Sequence, residues 1–207
     1  MGRGSDPPGV VPLRLGLFGG TFDPPHNGHV AVGRDVADAL DLHRLLWIPA
    51  GEPPHKASQA VTPPALRLKM VHAAVATDAR FAVSECETMR VGQSYTVDTL
   101  STLHREFPDA TMYFIVGADE YEALASWREP AQILELARLA VVDRDGLRGV
   151  DTIPDVVGAD GVDFVPIERI DISSSQIRIE VAAGRGVADL VPPGVAAIIK
   201  RERLYRG

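Results

Sequence analysis

The chain has 207 residues, 45% of them hydrophobic and 24% charged, with a formal net charge of −7. That balance suits a globular protein with a sizeable core, and its acidic sign argues against a nucleic-acid or membrane-surface binder, since both need a basic face. A single cysteine, Cys86, excludes an internal disulfide and a cysteine-based zinc cluster. With no apolar run of membrane-spanning length and no signal-peptide pattern, a soluble cytoplasmic protein with no nucleic-acid or membrane partner is expected. A homo-oligomer stays open.

Residues 1–12 are rich in Gly and Pro and read as a disordered lead-in to one domain over residues 13–207. Short apolar runs predict strands at Leu13–Phe18, Arg44–Ile48, Arg80–Val83, Met112–Val116, Leu139–Val142 and Asp163–Ile167. Helical spacing predicts helices at His29–Leu40, Pro63–Ala76, Thr96–Phe107, Glu120–Ala125, Ala131–Ala137, Ser174–Ala183 and Pro193–Arg201. Asn27 suits the N-cap of the first helix, and Thr62 caps the second with Pro63 at its first position. In the third helix Val97, Leu100, Leu103 and Phe107 form an inward stripe. Asp143 to Gly161 reads as a loop. Strands alternating with helices predict an α/β fold: a Rossmann-like, doubly wound, mostly parallel sheet with helices on both faces.

Two segments carry anion-binding chemistry. Gly19-Gly20-Thr21-Phe22-Asp23-Pro24-Pro25-His26-Asn27-Gly28-His29 joins the first strand to the first helix, the junction where open α/β folds seat nucleotide phosphates. Glycines at Gly19 and Gly20 let the backbone approach a ligand and adopt φ values that a Cβ forbids. His26 and His29, three residues apart, each offer an imidazole N–H. Zinc ligation by the pair lacks a third ligand of matching type nearby, and no Gly-Lys-Ser/Thr follows to make a Walker loop. The second segment, Ile172-Ser173-Ser174-Ser175-Gln176-Ile177-Arg178, places three hydroxyls at a helix start with Arg178 one turn on. Such a start aims free N–H groups and a guanidinium fork at an anion. An ordinary serine-capped helix is the plain alternative.

Three further stretches complete the pattern: Pro53-Pro54-His55-Lys56 after the second strand, Ser94-Tyr95-Thr96-Val97-Asp98-Thr99-Leu100, and Gly117-Ala118-Asp119 followed by Trp127. A solvated Lys56, a capping Ser94 or Thr96 and a merely packed Trp127 are the plain readings of these. Taken together, the motifs GGTFDPxHxGH, PPHK, SYTxDTL, GxD and an ISSTxIR-like Ile172–Arg178, with Ser175 in place of Thr, resemble those of the bacterial nicotinate-nucleotide adenylyltransferases. These form a family within the adenylyl- and cytidylyltransferase superfamily. The resemblance runs from Leu15 to Tyr205. It implies an enzyme that adenylates nicotinate mononucleotide with ATP, Mg²⁺ arriving with the triphosphate, to give nicotinate adenine dinucleotide and pyrophosphate. By the same resemblance Trp127 stacks on the pyridine ring, Thr96 helps hold its carboxylate, and Asp119 sits near the nucleotide ribose or phosphates. His26, His29, Lys56, Ser174 and Arg178 then stabilise phosphate charge, with Ser175 beside them and the Gly19–Thr21 backbone lining the α-phosphate. No residue marks itself as a protein metal ligand. The alternatives are another acceptor (nicotinamide mononucleotide or phosphopantetheine) and a non-catalytic nucleotide sensor.

Overall fold

The computed structural model describes residues 11–52, 61–143, 161–168 and 170–206. The lead-in up to residue 10, the stretch with Lys56 and the loop at 144–160 lie outside the described residues. Six strands, β1 (Arg14–Gly20), β2 (Arg44–Pro49), β3 (Phe81–Val83), β4 (Thr111–Gly117), β5 (Arg138–Asp143) and β6 (Val162–Pro166), form one sheet in the order β3-β2-β1-β4-β5-β6. Every neighbouring pair is parallel. The order reverses between β1 and β4, and this switch opens a crevice at the carboxyl ends of those two strands.

Strand alternation assigns the two faces. Leu15, Leu17, Leu46, Ile48, Met112, Phe114 and Val116 point into one core cluster, beneath α3 (Thr96–Glu106) and α5 (Pro130–Leu136). Phe18, Leu45, Trp47, Tyr113 and Ile115 point the other way, toward α1 (Asn27–Ala39) and α2 (Pro64–Val75). Both faces are covered, which is why the strands read as continuous apolar runs rather than alternating ones. On α3 the expected stripe is buried at Val97, Leu100 and Leu103, with Phe107 packed partly against it. A third cluster joins α2 to α6 (Ser174–Ala182) and α7 (Pro193–Arg201) through Met70, Ala74, Ile177, Val195 and Ile199. It fastens the C-terminal part of the chain beside the switch point. Among the described residues no helix is long and apolar enough to cross a membrane.

The elements lie where the sequence puts them, apart from their ends. The helix expected at Glu120–Ala125 is α4 (Ala118–Glu122) followed by a 3₁₀ turn at Leu124–Ser126, because the chain tightens to bury Leu124 before Trp127. Neither expected cap holds. The N-cap of α1 is His26, not Asn27. The N-cap of α2 is Pro63 with Pro64 after it, and no side chain bonds that end.

Candidate active site

A cavity of about 890 Å³ opens at the carboxyl ends of β1 and β4. Its wall begins where β1 ends. Gly19 and Gly20 are the last residues of that strand, and neither has a positive φ; the left-handed residue of the loop is Phe22, at φ 49°. The conformational freedom expected of this glycine pair is therefore not what the fold uses. Gly20 supplies space: a Cβ there would stand 2.9 Å from the Phe22 ring. That ring packs edge-on to the His29 imidazole, centroids 5.1 Å apart.

His26 and His29 cap each other. His29 N–H donates to Nδ1 of His26 at 3.3 Å, and His26 N–H donates to Nδ1 of His29 at 3.2 Å. The rings lie 3.7 Å apart, tilted by 33°. An Nδ1 that accepts a backbone N–H carries no proton, so each neutral ring keeps its proton on Nε2. His26 thus does the capping that Asn27 would do. The Asn27 amide instead reaches across the chain, its Nδ2 donating to the carbonyl of Asp189 at 3.0 Å and its backbone N–H to that of Leu190 at 2.9 Å.

The second segment folds onto the first. Each of its hydroxyls has a separate task. Ser173 is the N-cap of α6, accepting from Gln176 N–H at 3.1 Å. The Ser174 hydroxyl donates to the carbonyl of Pro24 at 2.8 Å, and Ser175 Oγ accepts from Nη2 of Arg178 at 3.3 Å. Nη1 of Arg178 donates to the carbonyl of Asp23 at 2.8 Å. Residues some 150 positions apart in the chain thereby form one wall of the cavity.

The opposite wall comes from the start of α3 and the end of the 3₁₀ turn. Thr96 is the first residue of α3; its N-cap is Tyr95, whose side chain makes no cap bond. Trp127 stands edge-on to Phe114, ring centroids 6.2 Å apart, and lines the cavity. Arg128 lies 4.9 Å over the Tyr95 ring. Asp119, exposed at the start of α4, also lines the cavity. The structure thus brings together every predicted site residue except Lys56, which lies outside the described residues.

Several residues around the site were not foreseen. Glu87 is buried on the cavity wall and accepts from the Thr99 hydroxyl at 2.8 Å. Burial pushes its carboxyl pKa up against the opposing pull of Thr99, Ser94 and two arginines. Asp23 is buried too: its carboxylate accepts from Thr62 N–H at 3.1 Å and from the Tyr205 hydroxyl at 2.7 Å. Burial and the facing Asp23 hold that hydroxyl protonated far above its ordinary range. Arg67 is the third. Nothing in local spacing announces these groups, although a cation in the first turn of a helix runs against the dipole and is a usable signal. Among the described residues no group of three or more His, Cys, Asp or Glu is placed to hold a metal ion.

The family described as cytidylyltransferase-like matches residues 17–180. A "Probable nicotinate-nucleotide adenylyltransferase" of Thermomicrobium roseum is 44% identical, covering 93% of this chain and 92% of that protein. One of the same name from Corynebacterium kroppenstedtii is 41% identical over 93% of this chain and 90% of its own length. Among solved structures, the nicotinic acid mononucleotide adenylyltransferase of Plasmodium falciparum complexed with NaAD superposes with a TM-score of 0.77, covering 93% of this chain and 97% of that one, at 19% identity. At that identity the likeness establishes the fold.

Proposed function

The chain belongs to the cytidylyltransferase-like family and, within it, to the nicotinate-nucleotide adenylyltransferases, and on that footing we propose that it transfers the adenylyl group of ATP to nicotinate mononucleotide. The products are nicotinate adenine dinucleotide and pyrophosphate, a step of NAD biosynthesis. The observation that carries this reading is the seating of both anion-binding segments on one cavity over the switch point, tied together by Arg178 to Asp23 and Ser174 to Pro24.

An oxygen of the acceptor phosphate attacks the α-phosphorus of ATP; the bond from that phosphorus to the bridging oxygen breaks, and pyrophosphate leaves with the electron pair. The attacking oxygen is ionised at neutral pH, so a general base adds little. The protein's work is alignment and charge stabilisation. We assign the Nε2–H groups of His26 and His29, the Arg178 fork, the Ser174–Ser175 helix start and Lys56 to the phosphates. The Gly19–Thr21 backbone lines the α-phosphate, and Asp119 lies toward the nucleotide. Thr96 and Trp127 form the pyridine pocket, where an electron-poor ring favours an indole face. Mg²⁺ enters as part of the ATP substrate, bound through its phosphates.

The test is pyrophosphate release with ATP and Mg²⁺, offering nicotinate mononucleotide and its amide counterpart in parallel. A strong preference for the acid supports the reading. Comparable rates keep the adenylyl transfer and overturn the acid specificity. No release with either overturns the pyridine acceptor.

A further inference from the structure

Arg67 is 1% exposed and sits in the first turn of α2, where its charge opposes the positive end of the helix dipole. Taking a guanidinium out of water is costly, and an apolar side chain of similar volume commonly serves stability as well or better. Burial pulls its pKa down, with Asp23, Tyr205 and Glu87 pulling the other way. The residue is therefore poorly explained by the helix that carries it. Its contacts explain it better. Nε donates to the carbonyl of Thr62 at 2.8 Å, Nη1 to that of Thr21 at 2.8 Å, and Nη2 to that of Gly51 at 3.0 Å. Thr21 belongs to the loop after β1 and Gly51 to the loop after β2.

The contacts to Thr21 and Gly51 lead to different sides of the cavity. The Thr21 carbonyl fixes the Thr21–Phe22 peptide, which leads from the end of β1 to the buried Asp23. Gly51 N–H donates to Ser94 Oγ at 3.1 Å, and Ser94 N–H donates to the carbonyl of Glu52 at 3.0 Å, so Gly51 sets the approach to α3 and Thr96. Gly51 has no slack: a Cβ there would stand 2.4 Å from the carbonyl of Glu87.

We propose that Arg67 is a positioning residue whose planar fork holds the loop after β1 and the loop after β2 at one fixed separation, keeping the phosphate side and the acceptor side of the cavity in register. The inference rests on the adenylyl-transfer reading, since a site joining two substrates is what needs both loops set together. A lysine carries the same charge but donates from a single point, so it cannot span both carbonyls.

The test uses Arg67→Lys and Arg67→Met in the full chain, with thermal unfolding, steady-state kinetics and amide hydrogen exchange measured on each. Misplacing reacting groups by an ångström costs about two decades in rate. Both folded variants are therefore expected to lose about that much kcat, with KM rising for ATP and for nicotinate mononucleotide together. Exchange is expected to quicken in residues 21–23 and 50–52 in concert, while the β1 and β4 amides keep wild-type protection. Three results overturn the proposal: full kcat in folded Arg67→Met, full rescue by lysine, or faster exchange spread evenly over the sheet. If Arg67→Met does not fold, Arg67→Lys carries the comparison. Should the wild type release no pyrophosphate, the adenylyl-transfer reading fails, and paired loop exchange still decides the role of Arg67.

Discussion

Gly28 lies between the two histidines, as the second residue of α1. A Cβ built there would stand 3.0 Å from Nδ1 and 3.1 Å from Cε1 of His26, and 3.7 Å from the Ile170 side chain. Carbon contacts are most favourable near 3.5–4.0 Å, so Gly28→Ala should push the His26 ring back by about half an ångström. The displaced atom, Nδ1, is the one that accepts the His29 N–H at 3.3 Å. The two effects on stability oppose each other. Alanine in a helix gains about 0.5–1 kcal/mol over glycine, and a weakened N-cap loses about 0.5–2 kcal/mol. The net change should run from a gain of about 0.5 kcal/mol to a loss of about 1.5 kcal/mol, a Tm shift of at most about 6 °C for a chain of this size. Turnover should not be spared: moving one imidazole and disturbing its stacked partner should cut kcat by about 10- to 100-fold.

Pyrophosphate release at saturating substrates measures the second effect and thermal unfolding the first. Gly33→Ala on the same helix is the control, because the nearest atoms to its Cβ would be those of Leu45 and Phe81, each at 3.1 Å, and not of a histidine. That variant should lose stability by overpacking while keeping kcat. A folded Gly28→Ala with kcat within about twofold of wild type would refute the claim that the glycine exists to seat His26.

Trp127→Ala should raise KM for the pyridine nucleotide far more than KM for ATP; equal effects on both would remove the indole from the acceptor pocket. Tyr205→Phe deletes the donor to Asp23, and a hydrogen bond to a charged group is worth about 1.5–3 kcal/mol. Tm should then fall by about 2–4 °C per kcal/mol, and an unchanged Tm would show the C-terminal contact to be idle. Glu87 gives a pH signature. Its pKa is raised in the folded state, so above the ordinary carboxylate range the folded protein still holds a proton that the unfolded chain has released. Stability from this group is present at low pH and lost as pH rises through the raised pKa. Glu87→Gln keeps an acceptor for Thr99 and should flatten that slope in urea unfolding between pH 4 and 8; an unaltered slope would place the titration elsewhere.

What the sequence made legible was whatever local pattern determines. Strands buried on both faces appear as apolar runs, α3 shows its stripe at Val97, Leu100 and Leu103, and the switch-point loops carry the glycines and histidines. What stayed hidden depends on partners far along the chain. Asn27 looked like a cap, but its amide serves Asp189, 162 residues away. Imidazole is not among the usual capping groups, so the reciprocal His26–His29 cap could not be read from type. Arg67 stands three residues after two prolines at a helix start and no local spacing pattern marks it; only the arrival of Thr21 and Gly51 makes it a buried hub. Glu87 and Tyr205 were hidden for the same reason.

The histidine geometry bears on how the charge is divided. Both Nδ1 atoms are occupied as acceptors from backbone N–H groups, so adding a proton to either ring would break the start of α1. With Nδ1 taken up in the cap, Nε2–H is the donor that each neutral imidazole can offer, and on the proposed reading the pair contributes direction rather than charge. On the proposed reading, positive charge reaches the phosphates from Lys56 and from Arg178. The Arg178 fork is anchored on the Asp23 carbonyl at 2.8 Å and on Ser175 at 3.3 Å, and it arrives on a helix that the α2–α6–α7 cluster packs against the first half of the fold. Both segments line the one cavity. On the proposed reading the loop after β1 supplies donors held by their own backbone and the returning C-terminal part supplies the Arg178 cation, the two locked together by the carbonyls of Asp23 and Pro24.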